Sequence, residues 1–401
     1  MQMDFGSVQY LCGEAGDYAD MPRLRALQPF SDAVCGFLNE LSTMIMKDPA
    51  AREFPDVMTF GFFCRKANIA ALKKRYKGAA ENRLGRGVTF HIAPSNVPVN
   101  FAYSLVAALL AGNSCIVRAS SKAFPQLDIL CRAISAVAAQ EQHRALADYI
   151  CVVRYPHSQA VTDAFSAIAD VRIIWGGDAT VAAVRRSPIP PRATELTFAD
   201  RYSIAVIDAQ SYLTDNEKEK TAQAFYNDTY LYDQNACTSP RLIYWVGAPE
   251  AIEAAASLFW ENLHRLLLQK YRLEPVIAVD KYVAACRIAI QLGGRLRSMP
   301  DNLISRVHID KLTTDLYDFR CAGGSFIEYG DESLDALANI VTRKYQTLSF
   351  IGIGREKLAN FVMENGLHGI DRIVPVGKTA DFDLIWDGYD LIRQMSRIVA
   401  L

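Results

Sequence analysis

Apolar positions fall into two periods along this chain. Ser31 to Lys47 carries Val34, Phe37, Leu38, Leu41 and Met44 at helical spacing, which predicts one amphipathic helix. Residues 56–80 read as helical and end in Lys73-Lys74-Arg75-Tyr76-Lys77, cations suited to a helix C-terminus. After Gly85-Arg86-Gly87 the pattern changes to short buried runs alternating with helices. Val88 to Ile92, Ser114 to Arg118, Ile150 to Arg154 and Val171 to Trp175 predict strands. Phe101 to Ala111, Pro125 to Gln140 and Ala160 to Ala169 predict the helices between them, and Gly112 stands where a helix stop is expected. Strand–helix alternation predicts a parallel sheet with ligands held at the carboxyl ends of its strands. The turns at Asn96, Ser120 and Gly177 fall on that edge. No G-x-G-x-x-G follows any strand, so the usual dinucleotide fingerprint is missing.

Ser187-Pro188-Ile189-Pro190-Pro191 is a stiff segment of low helical potential. Beyond it, Ser203 to Ile207, Gly323 to Tyr329 and Thr347 to Ile353 predict strands. Residues 216–231, 250–270 and 280–292 predict helices, and the end of the chain mixes aromatic and acidic residues before a short helix.

A chain of 401 residues exceeds one ordinary core, so two domains are expected. Net charge is −1, which offers no field for nucleic acid. The nine cysteines contain no CxxC pair and no clustered histidines, against a zinc site or a disulfide framework and for a reducing compartment. Residues 1–5 show no signal-peptide pattern, and the apolar run Phe101 to Leu110 is too short to span a bilayer. A cytoplasmic protein without a metal is expected.

The candidate chemistry centres on Tyr232-Asp233-Gln234-Asn235-Ala236-Cys237-Thr238-Ser239-Pro240-Arg241. Its thiol sits among polar donors with a cation nearby, surroundings that favour the nucleophilic thiolate. A buried, inert cysteine is the competing reading.

Ala93-Pro94-Ser95-Asn96-Val97-Pro98 followed by Ala111-Gly112-Asn113-Ser114-Cys115-Ile116-Val117-Arg118 resembles the cofactor-domain signature of the aldehyde dehydrogenase superfamily. Trp175-Gly176-Gly177-Asp178, Phe198-Ala199-Asp200-Arg201-Tyr202-Ser203, Gln346-Thr347-Leu348-Ser349 and the stretch from Arg372 to Leu391 resemble, more narrowly, the acyl-CoA reductases of the bacterial bioluminescence fatty-acid reductase complex. The resemblance implies an α/β, aldehyde dehydrogenase-like fold, with a Rossmann-like NADP-binding domain over 1–208, completed by 370–401, and a catalytic domain over 209–369. It also implies reduction of an acyl-CoA or other acyl thioester to an aldehyde through an acyl-Cys237 intermediate. Asn96 and the Cys237 amide would form the oxyanion hole; an N-capping role is the plain alternative for Asn96.

Arg118 matches a lysine at the cofactor's adenosine ribose, and Ser120 and Ser121 follow it. Ser121 replaces an acid found in NAD-preferring relatives, which makes NADPH the expected cofactor, with NADH the alternative. Gly176, Gly177 and Asp178 match the pyrophosphate turn, and Gln346 a glutamate at the nicotinamide ribose. Phe198 occupies the position of the water-activating glutamate of oxidising relatives, so hydrolysis of the acyl-enzyme should be slow; Glu195 is the nearby substitute and is expected to face solvent. His91 is read as a satisfied core residue. An acyl-activating synthetase is an implied partner, and a homo-oligomer is expected. Aldehyde oxidation to an acid and a non-catalytic scaffold for an acyl-activating enzyme are the rival functions.

Overall fold

The computed structural model describes residues 6–14, 16–297 and 301–401. Residues 1–5, read above for a targeting segment, lie outside the described residues. The chain divides into two compact units, 1–199 with 384–401, and 200–383.

The first unit is built on a six-stranded sheet. Its spatial order is Gln9–Cys12, Ile150–Arg154, Ser114–Arg118, Val88–Ile92, Val171–Trp175, Thr194–Phe198. All neighbours are parallel except Gln9–Cys12, which joins the edge antiparallel. The four inner strands are almost wholly buried, as expected where helices cover both faces of a sheet. Helices Asn100–Leu110, Pro125–Ala138 and Gln159–Ala167 connect the strands. The chain builds outward from Val88–Ile92 through Ile150–Arg154, then returns to the other side at Val171–Trp175. That reversal opens a crevice at the carboxyl ends of Val88–Ile92 and Val171–Trp175.

Helix Asp32–Lys47 buries Val34, Phe37, Leu38, Leu41 and Ile45. The expected Met44 is only half-buried, because the stripe drifts by one residue as the helix continues. Residues 56–80 form two helices, Pro55–Phe63 and Lys66–Arg75, rather than one.

The second unit holds a seven-stranded sheet ordered Arg295–Arg297, Ser305–His308, Ser325–Asp331, Pro240–Val246, Tyr202–Asp208, Tyr345–Ile351, Arg372–Pro375. Only the edge strand Arg295–Arg297 runs antiparallel. Helices Pro249–Lys270 and Pro275–Leu292 belong to this unit.

The unit boundaries differ from those read in the sequence. Tyr202–Asp208 is a central strand of the second sheet, so the first boundary falls at 199/200 and not after 208. Arg372–Pro375 also joins the second sheet, so the return to the first unit begins at Leu384 and not at 370. Strand pairing decides both points, and a lone apolar strand does not reveal its partner. The returning segment ends in strand Ser396–Ile398, antiparallel to Arg83–Gly85.

Asn113 closes this return. Its Oδ1 accepts from the Arg86 and Gly87 amides at 2.7 and 3.2 Å, and its Nδ2 donates to the Ala108 and Met395 carbonyls at 3.2 and 3.0 Å. Gly112 beside it has φ +91, and a Cβ there would lie 2.1 Å from the Leu27 carbonyl oxygen. Asn113→Ala is expected to cost the Gly87 amide its acceptor, while the Arg86–Met395 and 113–Ala108 backbone bonds remain, and to destabilise the first unit by about 1–3 kcal/mol, read as a lowered urea midpoint.

Candidate active site

Site residues of the first unit sit on the carboxyl edge of its sheet. Asn96 lies in the turn after Val88–Ile92, and Gly176, Gly177 and Asp178 follow the neighbouring strand Val171–Trp175. Together they flank the crevice where the strand order reverses. Ser120 and Ser121 follow Ser114–Arg118, one strand away. Ser120 is buried and its hydroxyl accepts from the Lys122 amide at 3.1 Å, while Ser121 is exposed.

Arg118 ends its strand half-buried, stacked over the Tyr155 ring at 4.7 Å, with Nη2 donating to the Tyr155 carbonyl at 3.3 Å. Arg154, which the sequence reading missed, ends the adjacent strand and donates from Nε to the Ser120 carbonyl at 3.1 Å. Nε of Arg118 and Nη2 of Arg154 are buried donors without a hydrogen-bond partner. Two cations with unused donors beside one serine turn suit an anionic ligand group.

Beneath the crevice runs a closed polar relay. Trp175 Nε1 donates to Ser104 Oγ at 2.9 Å, Ser104 contacts His91 Nδ1 at 2.6 Å, and His91 Nε2 contacts Thr89 Oγ1 at 2.8 Å. Thr89 donates onward to the Ser114 carbonyl at 2.9 Å, so its oxygen accepts from His91. His91 is therefore the Nε2-protonated neutral tautomer. Complete burial pushes its pKa down to about 3, and it is a satisfied core residue as the sequence suggested.

Phe198 is buried and stacked on Trp175, with ring centroids 3.6 Å apart. Glu195 does not face solvent. Its carboxylate is held by Arg172 at 2.5 and 2.8 Å and by Arg185 at 2.7 Å, because the parallel register sets Arg172 directly opposite it.

In the second unit, Cys237 sits just before strand Pro240–Val246, on the amino edge of the sheet. All nine cysteines lie among the described residues; Cys237 alone is exposed. Burial pushes the Cys115 thiol up to about 12 and also raises Cys35, Cys64 and Cys321. These are poor nucleophiles at neutral pH.

The loop carrying Cys237 is fixed from below. Asp233 and Gln234 both adopt left-handed backbone, φ 50 and 57. Gln234 is fully buried. Its Nε2 donates to the Pro240 and Ser325 carbonyls, both at 3.0 Å, and its Oε1 accepts from the Gly324 and Ser325 amides at 3.1 and 2.9 Å. Both Nη atoms of Arg241 donate to the Gln234 carbonyl, at 2.9 and 2.8 Å. Ser203 Oγ donates to the Cys237 carbonyl at 2.7 Å. Gly324 has φ +82, and a Cβ there would meet the Tyr230 hydroxyl at 2.1 Å. The Arg241 charge couples electrostatically to the Cys237 and Cys321 thiols.

Gln346 is the second residue of strand Tyr345–Ile351, near the same amino edge as Cys237, fully buried and one intervening strand away, about 10 Å by strand spacing. Gln234 was missed as a functional residue. Its only sequence signal is a position three residues before the thiol.

Two parallel-sheet α/β units, one with a switch-point crevice and one presenting an exposed thiol, define an aldehyde dehydrogenase-like fold. Solved structures agree. A benzaldehyde dehydrogenase from Corynebacterium glutamicum aligns with TM-score 0.60 at 14% identity, covering 95% of this chain and 88% of its own. Aldehyde dehydrogenase 21 from Physcomitrella patens aligns with TM-score 0.67 at 10% identity, covering 96% and 88%.

Residues 66–279 match the family model "Acyl-CoA reductase (LuxC)", and the chain belongs to that family. Long-chain acyl-protein thioester reductases are similar to it. The Vibrio harveyi protein is 32% identical over 78% of this chain and 63% of its own length. The Aliivibrio fischeri protein is 30% identical over 40% of this chain and 32% of its own. The chain thus spans less than two thirds of these relatives' length.

Gln234→Leu is expected to leave two amides and two carbonyls unpaired. Hydrogen exchange over residues 233–239 should then accelerate by tenfold or more, about 1.4 kcal/mol of lost protection. Unchanged exchange there would show that the clamp does not hold the loop.

Proposed function

We propose that the protein reduces an activated acyl group, carried as a thioester on CoA or on a protein, to the aldehyde, using NADPH. The observation that carries this reading is the exposed Cys237 on a loop clamped by Gln234, Arg241 and Ser203. The Arg241 cation favours the thiolate, whose sulfur attacks the thioester carbonyl carbon. The donor's C–S bond breaks, the donor leaves as a thiolate, and the acyl group stays on Cys237. The Cys237 amide is the donor of this loop suited to the oxyanion charge in this step, and Asn96 is the side-chain donor that the family resemblance would add. When bound, NADPH would supply the hydride that this reduction needs. Release of the aldehyde breaks the Cys237–acyl bond and restores the thiolate.

The chain's own residues fit a nicotinamide dinucleotide carrying a 2′-phosphate. Arg118 and Arg154 hold buried donors without partners beside Ser120, suited to that phosphate. Gly176 and Gly177 would lie against the pyrophosphate and Gln346 against a ribose. Asp178, next to that turn, would orient it through its backbone rather than its charge. Reduction is favoured over oxidation to a free acid because neither position read for a water-activating carboxylate, 198 or 195, offers a free one. Position 198 is a phenylalanine stacked on Trp175, and Glu195 is engaged by two arginines. The long acyl chain and the protein-bound donor come from what the relatives are called; an acyl-activating enzyme is the partner this chemistry needs.

Intact-mass measurement after offering long-chain acyl thioesters without reductant tests the reading. The parent should gain one acyl mass on Cys237, and Cys237→Ala should gain none and form no aldehyde. Undiminished aldehyde from correctly folded Cys237→Ala would overturn it. Separately, Arg154→Ala should raise KM for NADPH by about ten- to a hundredfold, as expected on losing a charge-assisted hydrogen bond, with KM for NADH little changed. Equal effects on both cofactors would remove the 2′-phosphate assignment.

A further inference from the structure

Helix Pro275–Leu292 is apolar on two faces and covered on one. Its inner face packs Ala285 and Ile288 into the second unit's core beside Val307 and Leu316. Lys281, on the same side, donates to the Gly323 carbonyl at 2.5 Å and to those of Asn302 and Leu303 at 2.6 and 3.0 Å. The outer face carries Val276, Val279, Val283, Cys286 and Ile290. Val276 is 65% exposed, Val279 63%, Val283 60% and Ile290 82%. The spacing is three, four, three, four, the a/d repeat of a two-helix seam. A row of this kind runs about 20 Å along a helix at 1.5 Å per residue. Exposed apolar side chains scattered singly need no explanation, but a continuous row does.

The flanking charges say what covers it. With Val276 at position a, Asp280 and Arg287 both fall at e, and Tyr282, 69% exposed, falls at g. In an antiparallel pair of identical helices the e residues of one face the e residues of the other. Stacking Val279 on Ile290 and Val283 on Cys286 of a second copy brings Asp280 opposite Arg287 of that copy, and the two-fold axis repeats the pair. Arg287 is already extended along this flank, with Nε on Gln291 at 3.2 Å and its guanidinium over the Phe319 ring at 5.3 Å. A parallel pairing would face e against g instead, setting Arg287 against Tyr282 and Asp280 against Pro275, with no opposite charges matched. We infer that the outer row of helix Pro275–Leu292 is a homodimer seam, closed antiparallel about a two-fold axis between Val283 and Cys286, with Asp280 and Arg287 fixing its register. It is independent of the chemistry at Cys237.

Sedimentation velocity on the full chain over a range of concentrations tests the seam. The parent should sediment as a dimer. Val283→Arg and Ile290→Glu should each raise the dimer dissociation constant by at least about a hundredfold. Asp280→Arg and Arg287→Asp change exposed side chains, the second also removing the guanidinium from the Phe319 ring and from Gln291. Each should weaken the dimer by about tenfold or more, and the double variant should restore it. Unchanged near-ultraviolet circular dichroism separates these effects from unfolding. A parent that stays monomeric, leaving the row to a helix of another protein, overturns the inference. So does a dimer that survives Val283→Arg, or a double variant weaker than either single one.

Discussion

One buried amide holds the thiol of this protein in place. Gln234 directs all its polar capacity inward, two donors to carbonyls and one oxygen to two amides, and so ties the loop before Cys237 to the head of strand Ser325–Asp331. Left-handed backbone at Asp233 and Gln234 costs on the order of 1 kcal/mol at each. The four hydrogen bonds, in a site closed to water, offset that strain. The outcome is a thiol that is exposed on a backbone that is not free to move: Gln234 from below, Arg241 at its carbonyl and Ser203 at the Cys237 carbonyl fix three points of one short loop.

The two sheets use opposite edges. The first places Asn96 and Gly176–Gly177 at the carboxyl ends of strands, where chain reversal opens a crevice without side chains from a crossover. The second presents Cys237 at the amino ends, on a loop between the short helical turn Tyr230–Tyr232 and strand Pro240–Val246. The Arg241 guanidinium, held on the Gln234 carbonyl, is the cation coupled to that thiol. Lys281 joins helix Pro275–Leu292 to the same loop system, since the Gly323 whose carbonyl it holds donates its own amide to the Asp233 carbonyl at 2.9 Å.

Ionisable groups near the first crevice are neutralised rather than poised. His91 is spent in a relay from Trp175 to the Ser114 carbonyl, and Glu195 is closed by Arg172 and Arg185. The stacked pair Trp175–Phe198 sets two apolar rings side by side at the carboxyl ends of adjacent strands.

The amino-acid sequence by itself determined the alternation of strands and helices, the turns at Asn96, Ser120 and Gly177, and Cys237 as the thiol in a polar, cationic setting. Those features are local: side-chain periodicity, turn chemistry and neighbouring residue type all act within a few positions. The family likeness was also legible, because it rests on contiguous motifs. Only the tertiary structure decided that Tyr202–Asp208 and Arg372–Pro375 join the second sheet and that Glu195 meets Arg172. It alone revealed Gln234 as a clamp, Arg154 beside Ser120 and the bare outer row of helix Pro275–Leu292. Each of these depends on a partner far along the chain, in the case of Gln234 on Ser325, and pairing at that separation is set by which sheet a strand joins and in what register.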